Sequence, residues 1–264
     1  MSTAQPIPAG EPVLALACGD NYIYICASDQ RSAFVVDPSE ADMVLDTLAQ
    51  RGLTLATVLV THHHGDHTGG ISTLKSKTDC QVVAPASSGV RRCDLGVSNG
   101  DELTIGNLRV SVLATPGHTR TSVCYYMPPQ SGQSGAVWTG DTLFVGGCGR
   151  PMECDPAILW ESLVKLAALP DETLVYCGHN YTAENYEFAL TIEPDNQAVR
   201  ERLRETRLAD SARRPTVPSS IAQEKATNVF LRGGEATVKE ALGMNEASPA
   251  EVFAELRRRK NRFG

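Results

Sequence analysis

Four of the six histidines in this 264-residue chain fall within six positions, in Thr61-His62-His63-His64-Gly65-Asp66-His67, directly after the apolar run Val58-Leu59-Val60. The other two stand in Pro116-Gly117-His118-Thr119 and Cys177-Gly178-His179-Asn180, each near the end of a strand-like run and inside a glycine-containing turn. A lone histidine is usually a satisfied core or surface residue. This set reads differently, because side chains at neighbouring loop positions can converge on a point, and imidazole with carboxylate is the donor mixture of hydrolytic metal sites. Asp141, in Thr139-Gly140-Asp141-Thr142-Leu143, follows the apolar run Ala136-Val137-Trp138 and adds a carboxylate in the same kind of position. The fold must therefore gather several strand ends in one place. Seven candidate ligands, His62, His64, Asp66, His67, His118, Asp141 and His179, are too many for one ion and fit two, with one carboxylate shared.

The rest of the chain supplies the strands that this demands. Residues 13–18, 21–27 and 32–37 are short apolar or alternating runs separated by Gly19-Asp20 and Asp29-Gln30-Arg31, the pattern of a meander. Ser39 with Asp42 predicts a capping box opening a helix through about Gln50, and a strand follows at 56–60. A helix is expected after Asp66, strands near 81–84, 108–114, 122–127 and 135–139, a helix over 156–168 and a strand over 173–177. This is an α/β pattern, for which sheets with helices on the outside are the layered solution. After Tyr181 strand signals vanish, and helices are expected near 182–191, 195–210 and 249–260. Ser248-Pro249-Ala250-Glu251 is a strong helix start, with serine as cap, proline first and glutamate three residues on. The change of character divides the chain into a catalytic domain over 1–180 and a helical domain over 181–264.

Composition narrows the function. A net charge of -7 argues against a general nucleic-acid binder, since phosphate affinity comes from clustered lysine and arginine. No stretch approaches the apolar length of a membrane span, and Met1-Ser2-Thr3-Ala4-Gln5-Pro6 lacks the features of a secretory signal, so a cytoplasmic protein without membrane partners is expected. Eight scattered cysteines without a C-x-x-C pair fit reduced, buried thiols. A monomer is expected.

These residues resemble the metallo-β-lactamase superfamily and, within it, the glyoxalase II (hydroxyacylglutathione hydrolase) family. The likeness runs from Asp20-Asn21-Tyr22 and Val36-Asp37-Pro38 through the histidine cluster, Pro116-Gly117-His118-Thr119, Gly140-Asp141-Thr142-Leu143-Phe144 and Cys177-Gly178-His179. It continues into Glu193-Pro194, Pro215-Thr216-Val217-Pro218-Ser219 and Asn228-Val229-Phe230-Leu231-Arg232, the segments specific to that family. The resemblance implies an αβ/βα four-layer sandwich, the metallo-β-lactamase fold, followed by a helical glutathione-binding domain. It implies two divalent ions, zinc foremost with iron or manganese as alternatives. His62, His64 and His118 would hold the first, Asp66, His67 and His179 the second, and Asp141 both.

The implied reaction is hydrolysis of S-(2-hydroxyacyl)glutathione thioesters, S-D-lactoylglutathione to glutathione and D-lactate, by water activated between the ions. This is the second step of methylglyoxal detoxification, and Asp66 would help to orient the attacking oxygen. Arg150, Tyr181, Arg257 and Lys260 match the family's glutathione-binding positions. Arg257 and Lys260, three apart on a helix, share a face and can meet one carboxylate. His63 has no ligand role in that pattern, and in a strand-like segment it would point to the opposite side from His62 and His64. The chain departs from the family at Gly65, where tryptophan is usual, at Met152, where a glutathione-contacting tyrosine is expected, and at Arg150, which replaces lysine. None of these removes a metal ligand. The alternatives are a persulfide dioxygenase or another thioester hydrolase of the superfamily, and the helical tail with its R-x-x-K pair speaks against the dioxygenase.

Overall fold

The structure is a computed structural model that describes residues 12–130 and 134–263. Packing gathers them into two compact units: the chain up to Ala114 together with Thr121–Gly140, and Thr115–Arg120 together with the chain from Asp141 onward. This partition follows contacts, whereas the division near residue 181 follows a change in sequence character.

The first unit opens with the expected meander. Strands β1 (Pro12–Cys18), β2 (Asn21–Ala27) and β3 (Ser32–Val36) pair antiparallel. Helix α1 (Ala41–Arg51) leads to β4 (Thr54–Leu59), parallel to β3. Helices α2 (Gly65–Thr68) and α3 (Ile71–Thr78) follow, and β5 (Gln81–Pro85) and β6 (Leu95–Val97) extend the sheet in parallel. A second, antiparallel sheet runs in the order β7 (Glu102–Ile105), β8 (Leu108–Ala114), β9 (Val123–Met127), β10 (Ala136–Gly140).

Every residue of β2 is buried, which explains why it reads as an apolar run rather than an alternation: both faces of this sheet are covered. On one side Ile23, Ile25, Val35 and Val58 pack with Val44 and Leu48 of α1 and with Leu74 of α3. On the other, Phe34 meets Trp138 of β10 edge-on at 5.3 Å, and the Tyr125 hydroxyl of β9 donates to the Val60 carbonyl at 2.9 Å.

One expected local signal is absent. No capping box forms at Ser39 and Asp42; the cap position is Glu40, without a side-chain hydrogen bond, and Asp42 instead pairs with Lys77 at 3.3 Å. The reason is tertiary. The Pro38 carbonyl accepts from Gly70 N at 2.8 Å, and a Cβ on Gly69 would fall 2.6 Å from the Ser39 carbonyl oxygen, so this segment is docked against the Gly69-Gly70 turn.

The second unit holds a small hairpin of β11 (Leu143–Phe144) and β12 (Gly147–Cys148), helix α4 (Pro156–Ala167) and strand β13 (Leu174–Cys177). Then come α5 (Thr182–Ile192), α6 (Gln197–Ser211), β14 (Ser219–Ser220), α7 (Ile221–Thr227), a 3-10 turn over Val229–Leu231, α8 (Ala236–Leu242) and α9 (Pro249–Lys260). The two-residue β14, antiparallel to β13, is a strand where only helices were expected. At α9 the predicted capping box is present: Ser248 N donates to Glu251 Oε2 at 2.8 Å, and Glu251 N donates to Ser248 Oγ. Among the described residues no helix is long and apolar enough to cross a membrane.

The hairpin backbone is gripped by buried side chains of the helices. Glu224 Oε2 accepts from Gly146 N at 2.9 Å, Asn228 Nδ2 donates to the Gly147 carbonyl at 2.8 Å, and Asn185 Nδ2 donates to the Val145 carbonyl at 3.1 Å. This clamp fixes the stretch of chain that joins Asp141 to Arg150.

Candidate metal centre

In the first unit the chain leaves β4 at Leu59 and runs through Thr61–His64 into α2. His62 is buried, and its Nε2 lies 3.1 Å from His64 Nδ1. Asp37, at the end of β3, orders the cluster from below. Its carboxylate accepts from Thr61 N at 2.8 Å and Thr61 Oγ1 at 2.7 Å, and it lies 3.0 Å from His67 Nδ1. A carboxylate partner takes the proton-bearing nitrogen, so Nε2 of His67 is left with the lone pair that a metal needs. Asp37 does this from a backbone φ of 51°, a conformation that costs a non-glycine residue of order 1 kcal/mol or more. Asp66 is 48% exposed, lies 3.7 Å from His67 Nε2, and is held by Asn21 Nδ2, which donates to its backbone oxygen at 3.0 Å and to Oδ2 at 3.3 Å.

The His63 ring meets the His64 ring edge-on, with centroids 5.0 Å apart, rather than pointing away from it as expected. It lines a separate cavity with Thr68, Ile71, Ser72 and Arg91.

In the second unit His118, Asp141 and His179 converge. Asp141 Oδ2 lies 3.4 Å from His118 Nε2 and 3.3 Å from His179 Nε2, and all three are buried. His118 Nδ1 donates to the Arg150 carbonyl at 2.8 Å, which again directs the lone pair of Nε2 inward. His179 stacks on Tyr181 with ring centroids 5.0 Å apart, and Phe144 meets both rings edge-on.

A cavity of about 270 Å³ opens here. Its lining carries His118 and Asp141 together with all four residues matched to glutathione binding, Arg150, Tyr181, Arg257 and Lys260. Arg257 is buried; its Nη1 donates to the Cys148 carbonyl at 2.8 Å, across 109 residues of chain, and its guanidinium lies 5.0 Å from the Phe230 ring centroid. Lys260 is paired with Glu184. Met152, 61% exposed, borders the same cavity.

Several contributors were not singled out by sequence. Asp37 and Asn21 lie inside segments that carry the family resemblance, yet nothing local marks either as a support for a histidine or an aspartate beyond 20 residues away. Glu184 and Asn185 occupy the first turn of α5, where an acid reads simply as a favourable helix start.

The donors fit a divalent cation. Atoms bound at about 2.0–2.2 Å to a tetrahedral ion lie about 3.3–3.6 Å from one another. The separations of 3.4 and 3.3 Å around Asp141 match, and the 3.1 and 3.7 Å pairs of the first unit bracket that range. Neither Cys148 nor Cys177 is set up as a nucleophile, since burial pushes the Cys177 thiol up to about 12 and also raises Cys148 despite the nearby Arg257.

Gly149 is indispensable to this geometry. A Cβ there would lie 1.9 Å from the Asp141 carbonyl oxygen and 3.3 Å from His118 Nδ1. Gly149→Ala is expected to displace Asp141 and His118, with metal content and turnover falling together; a variant retaining full metal content would show that the backbone yields without moving the ligands.

The family model described as "Metallo-beta-lactamase superfamily" matches residues 17–179, and that described as "Hydroxyacylglutathione hydrolase C-terminus" matches residues 180–263. The chain has the metallo-β-lactamase fold and belongs to that superfamily of metal-binding proteins. A protein named hydroxyacylglutathione hydrolase from Rhodopseudomonas palustris (strain BisA53) is 44% identical over 257 residues, covering 96% of this chain and 99% of its own. One of the same name from Brucella anthropi is 44% identical over 252 residues, covering 91% and 95%. The crystal structure of ETHE1 from Myxococcus xanthus shares 29% identity at a TM-score of 0.61, covering 93% of this chain and 95% of that one. Within the superfamily, this chain is a member of the hydroxyacylglutathione hydrolase family of metal-dependent hydrolases.

Proposed function

We propose that this protein hydrolyses S-(2-hydroxyacyl)glutathione thioesters, with S-D-lactoylglutathione yielding glutathione and D-lactate. The observation that carries the reading is the single cavity in which the carboxylate and imidazole of Asp141 and His118 share walls with Arg257, Lys260, Tyr181 and Arg150. His62, His64 and His118 would hold one ion, Asp66, His67 and His179 a second, and Asp141 both. Zinc is the ion proposed, because it suits a donor set rich in imidazole nitrogen with carboxylate oxygen. The helical region 181–264 would serve substrate binding and residues 1–180 the chemistry, in a cytoplasmic monomer.

Two such ions, when bound, supply an activated water and a Lewis acid for the thioester carbonyl. The chain's own part is orientation. Arg257 and Lys260 present two cations to the glycine carboxylate of glutathione, and the Tyr181 ring lies beside His179. Asp66, half-exposed and held by Asn21, accepts a hydrogen bond from the attacking water. The water oxygen bonds to the carbonyl carbon, the C–S bond breaks with its electron pair leaving on sulfur as the glutathione thiolate, and the two protons of the water pass to solvent, leaving D-lactate as its carboxylate.

Loss of thioester absorbance on S-D-lactoylglutathione, measured beside other thioesters and a β-lactam with metal analysis of the same sample, tests this directly. Turnover of the glutathione thioester at about two metal equivalents per chain is the expected result. A fully loaded protein that ignores it would end the proposal.

Arg257→Ala is expected to raise KM about tenfold to a hundredfold, the range of one charge-assisted hydrogen bond, with a much smaller change in kcat. Because Arg257 also donates to the Cys148 carbonyl, some loss of thermal stability should accompany it. A fall in kcat at constant KM would contradict the anchoring role.

A further inference from the structure

Lys260 lines the cavity almost wholly buried, with the Phe188 and Phe263 rings 5.9 and 5.2 Å from its ammonium, and its charge is met by Glu184 from the first turn of α5. Glu184 borders the same cavity with its side chain 52% exposed, so one end of this ion pair is fixed and the other reaches into solvent. Arg257 differs, since part of its guanidinium is committed to the Cys148 carbonyl and to Asn261 Oδ1, partners that a ligand need not displace.

We propose that Glu184 is a specificity-determining residue: a carboxylate belonging to the protein that competes with an anionic substrate group for Lys260. The inference rests on the reading of this cavity as the glutathione subsite. An incoming carboxylate must either displace Glu184 from Lys260 or share the ammonium with it, and sharing brings two like charges together. The exposed end is the one that yields, because Glu184, 52% exposed, recovers more hydration on release than Lys260, 7% exposed, can. Affinity for anionic thioesters is thereby held below what the Arg257 and Lys260 pair alone would provide, and release of the anionic product is eased by the same carboxylate returning. A neutral thioester gains nothing at Lys260 and is indifferent to the competition.

Titration calorimetry with S-hexylglutathione, a thioether that cannot be hydrolysed, reads the effect without any turnover. Glu184→Gln is expected to tighten binding about twofold to fivefold, the range spanned by partly exposed ion pairs, and Glu184→Ala to do the same, with folding checked by circular dichroism. In a Lys260→Gln background the benefit of Glu184→Gln should disappear, since nothing is left to compete for. Unchanged or weaker binding in Glu184→Gln overturns the proposal, as does equal tightening in the Lys260→Gln background, which would mean a general charge effect. If the parent protein itself fails to bind S-hexylglutathione, the glutathione reading of the cavity falls and this inference with it; binding by the parent without tightening in Glu184→Gln sinks the inference alone.

Discussion

Asp141→Ala is expected to reduce both metal content and turnover by at least about a hundredfold, beyond what loss of a supporting group around a metal ligand costs. The carboxylate stands 3.3–3.4 Å from the inward nitrogens of His118 and His179, so its removal takes away an anion that these two imidazoles share. Two imidazoles without an intervening charge make a weak site for a doubly charged ion. His118→Ala should behave similarly, and metal analysis with a thioester assay on the same preparation checks both. Folding should survive, because the hairpin beside Asp141 is clamped by Asn185, Glu224 and Asn228. Two equivalents of bound metal, or full turnover, in Asp141→Ala would contradict the assignment.

The second large effect is on stability, at Glu224. This carboxyl is fully buried and accepts hydrogen bonds from Gly146 N, Ser219 Oγ and Asn228 Nδ2. Truncation in Glu224→Ala opens a cavity and takes this acceptor from all three donors, of which Asn228 Nδ2 keeps the Gly147 carbonyl; at about 1–3 kcal/mol for each buried group left unpaired, plus the cavity, a loss of roughly 3 kcal/mol is expected in denaturant unfolding. Glu224→Gln keeps the size and one acceptor and should be far milder. Burial is the largest influence on this group and raises its pKa above the ordinary 4.5, against the hydrogen bonds from Ser219, Asn228 and Gly146 that lower it. A carboxyl raised in the folded state contributes stability while protonated, below about 4.5, and that contribution is lost as pH climbs through the raised folded value. Glu224→Gln cannot ionise, so its stability relative to the parent should improve as pH rises from about 4.5 toward neutrality. A stability difference that does not move with pH would show that Glu224 ionises in the folded protein as readily as in the unfolded one.

How much of this was legible beforehand depends on the range of the interaction. The Ser248-Glu251 box formed as read, since everything it requires lies within four residues. Ser39-Asp42 has the same spacing and failed, because the Gly69-Gly70 turn claimed the backbone that would have carried it. Strands β2 and β4 were readable from their apolar runs. Strands β6 and β7 and helices α7 and α8 were not, being short and lacking a sustained apolar period. Asp37 was visible only as the end of a strand; that its carboxylate supports His67 depends on β3 and β4 lying side by side, which no local pattern states.

By itself the sequence determined the chemistry on offer: imidazoles and carboxylates at strand ends, two cations one turn apart on the last helix, and the local start of that helix. These follow from residue type and from periods of two and three to four residues, which need no knowledge of distant neighbours. The tertiary structure alone decided that Asp141 stands between His118 and His179, that Arg257 reaches the Cys148 carbonyl across 109 residues, and that Glu184 meets Lys260. Each of those contacts is made by the packing of elements whose separation along the chain exceeds any periodicity the sequence can carry.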